Sequence, residues 1–170
     1  GLLDRMKPVR RGADEVVFIS PRDGFRVTLS VLLDGRRVAD TSIHRSDNFP
    51  EHSRSYRPDH AGIYADLYLP NHQVGRKPAV LLFGGSGGGL GEFFEAQLVA
   101  AQGYPAMALA YFGEAGLPVH LKNIPLEYFA TAVEWLKSQP AVDATRIGVF
   151  GTSRGGELAL LLGATYPSAF

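Results

Sequence analysis

Two patterns of hydrophobic and polar positions divide the chain. Residues 15–45, EVVFISPRDGFRVTLSVLLDGRRVADTSIHR, are rich in β-branched residues and show no helical period. Asp23-Gly24 and Asp34-Gly35 punctuate the run, which predicts short antiparallel strands joined by tight turns, with Asp34-Gly35 suited to a type I′ hairpin. Residues 46–62, SDNFPEHSRSYRPDHAG, are polar with little periodicity and read as a connector holding a short edge strand at most. Beyond them the pattern becomes strand, helix, strand, helix. IYADLYLP alternates, and AVLLFGG is a continuous apolar run of the kind buried on both faces of a parallel sheet. Glu92 to Gly103 predicts a helix stopped by Gly103, and PAMALAYF the next strand. PLEYFATAVEWLKSQ places Leu126, Phe129, Ala130, Val133 and Leu136 on one helical face, with Pro125 at its first turn. RIGVFG and RGGELALLLGATY add one more strand and one more helix. Such alternation predicts right-handed crossovers and a doubly wound, mostly parallel α/β sheet.

Composition narrows the function classes. The chain has 170 residues, 45% of them hydrophobic, with a formal net charge of zero. That balance argues against a nucleic-acid face, and no apolar run approaches the roughly 18 residues of a membrane span. Cysteine is absent, which excludes a disulfide framework, a thiol nucleophile and cysteine-ligated metal within these residues. The opening GLLDRMKPVRRGADE is too charged for a secretory signal. An intracellular, cytoplasmic location is therefore expected.

The chemistry concentrates at two glycine-rich turns. Gly151-Thr152-Ser153-Arg154-Gly155 follows a predicted strand and precedes a predicted helix, the setting of a G-x-S-x-G nucleophile elbow. A turn this sharp strains the serine backbone and leaves no room for flanking side chains. It lifts the Ser153 hydroxyl above the carboxyl edge of the sheet and aims the Arg154 N–H where an oxyanion would form. The plainer reading is a helix-capping serine. The second turn, LLFGGSGGGLGEFF, has six glycines between residues 84 and 91. It matches neither G-x-x-x-x-G-K-[ST] nor a dinucleotide fingerprint. After the third strand of a hydrolase sheet, the same position supplies a second oxyanion N–H, here from Gly85 or alternatively Ser86. His44, His52 and His60 lie near Asp47, Glu51 and Asp59, but their spacing puts no pair on one helix face, so neither a metal nor a cofactor is expected. In the order Ser, Asp, His both partners follow the nucleophile, and no suitable acid or base stands between Ser153 and Phe170. A complete triad is not expected within these residues.

The stretches LFGGSGGGLGEFFEAQLVAAQGYPAMALAYFGEAGLP, PLEYFATAVEWLKSQPAV and RIGVFGTSRGGELALLLGA, in that order, resemble the carboxyl-terminal hydrolase domain shared by type I acyl-CoA thioesterases and bile acid-CoA:amino acid N-acyltransferases. The likeness runs from about Tyr64 to Pro167, and FRVTLSVLLDGRRVADTSIHR is more loosely similar to the end of the β-sandwich that precedes such a domain. The resemblance implies residues 1–53 as the end of a β-sandwich and 54–170 as the first half of an α/β-hydrolase domain, incomplete toward its C-terminal half. It implies Ser153 as nucleophile, Arg154 where lysine is common, and an acyl-CoA substrate hydrolysed through a serine acyl-enzyme. Conjugating members of the family carry cysteine at the elbow, so serine favours hydrolysis. The alternatives are a dienelactone-hydrolase-like carboxylester hydrolase, an N-acyltransferase, or a non-catalytic interaction domain. An open strand edge would favour self-association.

Overall fold

A computed structural model of the chain describes residues 25–45 and 54–170. The chain divides into two compact units, residues 1–47 and 48–170.

In the first unit, β1 (Phe25–Leu33) pairs antiparallel with β2 (Arg36–Arg45). Val27 faces Ile43, Leu29 faces Thr41 and Val31 faces Ala39, so one side of the ribbon collects the apolar positions until a register shift between Val31 and Leu32. The turn has Asp34 at φ 47° and Gly35 at φ 75°, the two positive values that a type I′ hairpin needs. The turn expected at Asp23-Gly24 lies outside the described residues.

The second unit runs β3 (Arg54–Tyr56), α1 (Pro58–Ala61), β4 (Tyr64–Tyr68), β5 (Lys77–Phe83), α2 (Phe93–Ala101), β6 (Ala106–Ala110), α3 (Leu126–Lys137), β7 (Val142–Gly151) and α4 (Arg154–Thr165). Its five strands lie in the order β3-β4-β6-β5-β7. β5 is parallel to both β6 and β7, each reached through a helix. β3 and β4 extend the sheet antiparallel. The direction of β4 was not legible from its alternation, and it follows from the link to β5. Residues 69–76 contain no helix, whereas a parallel crossover takes about a dozen residues or more.

Side chains of β5 alternate between two cores, which is what winds the sheet on both faces. Leu81 and Phe83 join Met107, Leu109, Phe129 and Leu162 beneath α3 and α4. Leu82 joins Ala96, Ala100, Ala106 and Ala108 beneath α2. Small alanines on that side let α2 sit close to the strands. α3 buries Phe129, Ala132, Val133 and Leu136. These four follow one i, i+3, i+4, i+7 row, turned slightly from the expected one, so Ala132 is buried while Leu126 and Ala130 at the rim are half-buried.

Candidate active site

β5 and β7 are adjacent and parallel, with Phe83 in register with Gly151, so the segments leaving them emerge side by side at the carboxyl edge of the sheet. After β5 comes the glycine loop, and after β7 the elbow. This neighbourhood brings Gly85 and Ser153 together.

Ser153 stands between the end of β7 and the first residue of α4, with φ 56° and ψ −119°. It is exposed, and it makes no side-chain capping bond to α4, which removes the main support for a capping role. A non-glycine residue at positive φ costs on the order of 1–3 kcal/mol and persists only where its surroundings enforce it. The surroundings here are glycines. A Cβ on Gly155 would lie 2.6 Å from both the Phe83 and Gly84 carbonyl oxygens, and one on Gly151 would overlap the Gly155 carbonyl. The first turn of α4 can therefore press onto the ends of β5 and β7 only if both positions lack side chains. Gly155 N–H donates to the Thr152 carbonyl at 2.8 Å and Gly156 N–H to the Ser153 carbonyl at 2.9 Å, closing the turn. Arg154 is the first helical residue, so its N–H has no intrahelical acceptor. Its guanidinium forms an exposed pair with Glu157, Nη1 to Oε2 at 2.8 Å.

The glycine loop approaches from the β5 side. A Cβ on Gly85 would come within 2.8 Å of Ser153 Cβ, 3.0 Å of the Thr152 carbonyl oxygen and 3.2 Å of Ser153 Oγ. Ser86, the alternative donor, follows in an exposed turn. Gly88 and Gly89 take φ of 71° and 68°, which lets the loop fold back. The Gly89 N–H donates to the Phe112 carbonyl at 2.9 Å, tying the loop to the segment after β6.

Two further residues shape the site that the sequence had not singled out. Tyr111, just past β6, is buried and donates its hydroxyl to the Gly84 carbonyl at 2.7 Å, holding the root of the loop. Burial pushes that hydroxyl's pKa up, so it remains a donor. An aromatic residue ending a strand carries no signal of this role. Glu92 is only 7% exposed, its Oε1 would lie 3.7 Å from a Cβ built on Gly84, and burial raises its carboxyl pKa. Its position at the end of the glycine run was the available clue. Beside Arg154 opens a cavity of about 320 Å³, walled by Tyr111, Leu126, Phe129, Leu158 and Leu161 with Lys122 at its margin.

The described histidines lie on other segments: His44 on β2, His60 on α1, His72 before β5 and His120 before α3. His60 Nδ1 is 2.9 Å from Asp59 Oδ1, both exposed. No group of three potential metal ligands occurs among the described residues, and among them no helix is long and apolar enough to cross a membrane.

Residues 124–169 match the family described as BAAT / Acyl-CoA thioester hydrolase C terminal. The mitochondrial acyl-coenzyme A thioesterase 2 of Mus musculus is 34% identical over 166 residues, covering 95% of this chain and 36% of that protein. Acyl-coenzyme A thioesterase 1 of Homo sapiens is 41% identical over 104 residues, 61% of this chain and 24% of that protein. The chain thus spans about a third of the length of the curated relatives it matches. Among solved structures, the hypothetical protein PA2218 from Pseudomonas aeruginosa superposes over 96% of this chain and 46% of its own, with a TM-score of 0.56 and 24% identity. The Pyrobaculum calidifontis esterase does so over 62% of this chain and 36% of its own, with a TM-score of 0.51 and 26% identity. The fold is that of the α/β-hydrolase esterases.

Proposed function

We propose that the protein carrying this chain hydrolyses acyl-CoA thioesters, with Ser153 as its nucleophile. The observation that carries the reading is the strained, exposed Ser153 at a strand-to-helix turn with Gly85 packed against it. The similarity to acyl-coenzyme A thioesterases supports the thioester as substrate, and the apolar cavity beside Arg154 supports an acyl chain.

In this mechanism Ser153 Oγ attacks the thioester carbonyl carbon while an imidazole takes its proton. Oxyanion charge is met by the N–H of Arg154 and that of Gly85 or Ser86. The carbonyl re-forms as the C–S bond breaks, and CoA departs with the returned proton as free thiol. A water molecule, deprotonated by the same base, then attacks the Ser153 ester and releases the acid. The imidazole and its carboxylate partner belong to sequence following the elbow. No cofactor takes part. Serine at 153 gives an oxygen ester, which resists amines more than a thioester would, and this directs the second half-reaction to water. Residues 1–53 form the end of a β-sandwich in this reading, and 54–170 the first half of the hydrolase domain. An acyl-CoA substrate makes the setting intracellular.

The test uses the complete gene product with an acyl-CoA and excess glycine or taurine, following CoA thiol, free acid and amide separately. The expected products are thiol and acid in equal amounts, with Ser153→Ala inactive. Amide as the main product would replace hydrolysis by conjugation. Turnover of a simple aryl ester far above that of the thioester would make the protein a carboxylester hydrolase.

A further inference from the structure

Tyr111 follows the end of β6 with 3% of its surface exposed, and its ring is fixed by those of Phe83, Phe112 and Phe129, whose centroids lie 6.1, 5.1 and 5.4 Å away. Its hydroxyl reaches across to the segment leaving the neighbouring β5 and donates to the Gly84 carbonyl at 2.7 Å. The Gly85 carbonyl lies farther off, at 3.5 Å. Gly84 is buried and Gly85 half-buried, whereas Ser86 stands in the exposed turn. A trans peptide is planar, so the Gly84 carbonyl and the Gly85 N–H point in opposite directions and turn as one unit. Both residues are glycine, and no Cβ on either side resists rotation of that plane. Whatever holds the carbonyl therefore sets the direction of the N–H. Here the carbonyl is held on two sides, by the Tyr111 hydroxyl and by the first turn of α4, where a Cβ on Gly155 would come within 2.6 Å of the Gly84 oxygen.

The oxyanion site proposed above takes one donor from the glycine loop, either Gly85 or Ser86. Gly85 is the one packed against the nucleophile, since an added Cβ would sit 3.2 Å from Ser153 Oγ. We propose that Tyr111 is a positioning residue, whose bond to the Gly84 carbonyl aims the Gly85 N–H, rather than that of Ser86, at the oxyanion. The inference rests on Ser153 being the nucleophile. A donor fixed before the reaction needs no reorganisation as charge develops, which is the source of much of an oxyanion site's effect. The hydroxyl also polarises the peptide it holds, because a carbonyl that accepts a hydrogen bond strengthens the N–H of the same unit as a donor. The ring serves separately, as part of the wall of the cavity beside Arg154.

The experiment compares Tyr111→Phe, a protein with glycolic acid in place of Gly85, and the two changes together in the complete gene product, with Ser153→Ala as reference. Glycolic acid replaces the Gly85 N–H by an ester oxygen, and losing an oxyanion donor outright should lower kcat by about 10²- to 10³-fold. Tyr111→Phe leaves the donor present but free to turn, so kcat should fall by about 10- to 10²-fold. Phenylalanine keeps the ring at the cavity wall, so KM should change less than about twofold. The combined protein should be no worse than the ester protein, because both changes act on the same N–H. An alkyl trifluoromethyl ketone, which forms a tetrahedral adduct on a serine, should bind Tyr111→Phe more weakly by about the factor lost in kcat. An S-alkyl-CoA thioether, which has no carbonyl, should bind it unchanged. A folded Tyr111→Phe protein with unchanged kcat, losses that multiply in the combined protein, or equal weakening of both ligands would each overturn the proposal. Unchanged kcat in the ester protein would do so even where Tyr111→Phe does not fold. A fully active Ser153→Ala protein would instead remove the nucleophile itself, a different result from an inactive Ser153→Ala beside a fully active Tyr111→Phe.

Discussion

Gly85 leaves no room for a side chain: the nearest atoms to an added Cβ, at 2.8 and 3.0 Å, are Ser153 Cβ and the Thr152 carbonyl oxygen. Neither is the far end of a flexible chain that could swing away, so Gly85→Ala must push the loop and elbow apart. The expected outcome in the complete gene product is a kcat loss on the order of 10²-fold with little change in the thermal midpoint, since the loop lies at the surface. Steady-state kinetics beside a melting curve checks both. This steric demand is also why the site was legible in part. A required glycine leaves its mark on the sequence, and two glycine turns after two strands are visible without coordinates. Glu92 left only its place at the end of the glycine run, because a glutamate opening a helix is already accounted for by the helix dipole.

Tyr128, on α3, shows how one hydroxyl can join elements. It donates to the Ala110 carbonyl at 2.6 Å and accepts the Tyr64 N–H at 3.0 Å, and Tyr64 and Ala110 are register partners on β4 and β6. The helix is thereby inserted into the end of the β4–β6 ladder. Tyr128→Phe strands both backbone groups and should cost about 1–3 kcal/mol in denaturant unfolding at neutral pH. Burial pushes the Tyr128 hydroxyl from 10.0 up to about 12. A raised folded-state pKa means stability that is fully present below about pH 10 and lost as pH rises through about 12. Phenylalanine should flatten that alkaline limb. Sequence period alone identified α3 and most of its buried face. It could not reveal that β4 runs antiparallel, because alternation is the same in either direction and only the short connection to β5 decides.

Within the five-stranded sheet β7 pairs with β5 alone, so its ten residues offer an outer row of backbone donors and acceptors. Phe150 on that strand and Leu160 and Leu161 on α4 are 45%, 79% and 50% exposed. Open edges beside apolar surface template pairing with another strand. The 170-residue chain is expected to associate as concentration rises, and Phe150→Lys to shift it toward monomer in sedimentation velocity runs. Unchanged monomer across the whole range would refute this. The conformation of Ser153 has a consequence on another level, that of selection among variants. Glycine tolerates φ 56° and ψ −119° where serine is strained, and trading that strain for glycine's larger loss of chain entropy leaves a net gain of about 1 kcal/mol. A random library of this chain screened only for survival of heating should accumulate glycine at position 153, whereas one screened for turnover should purge it.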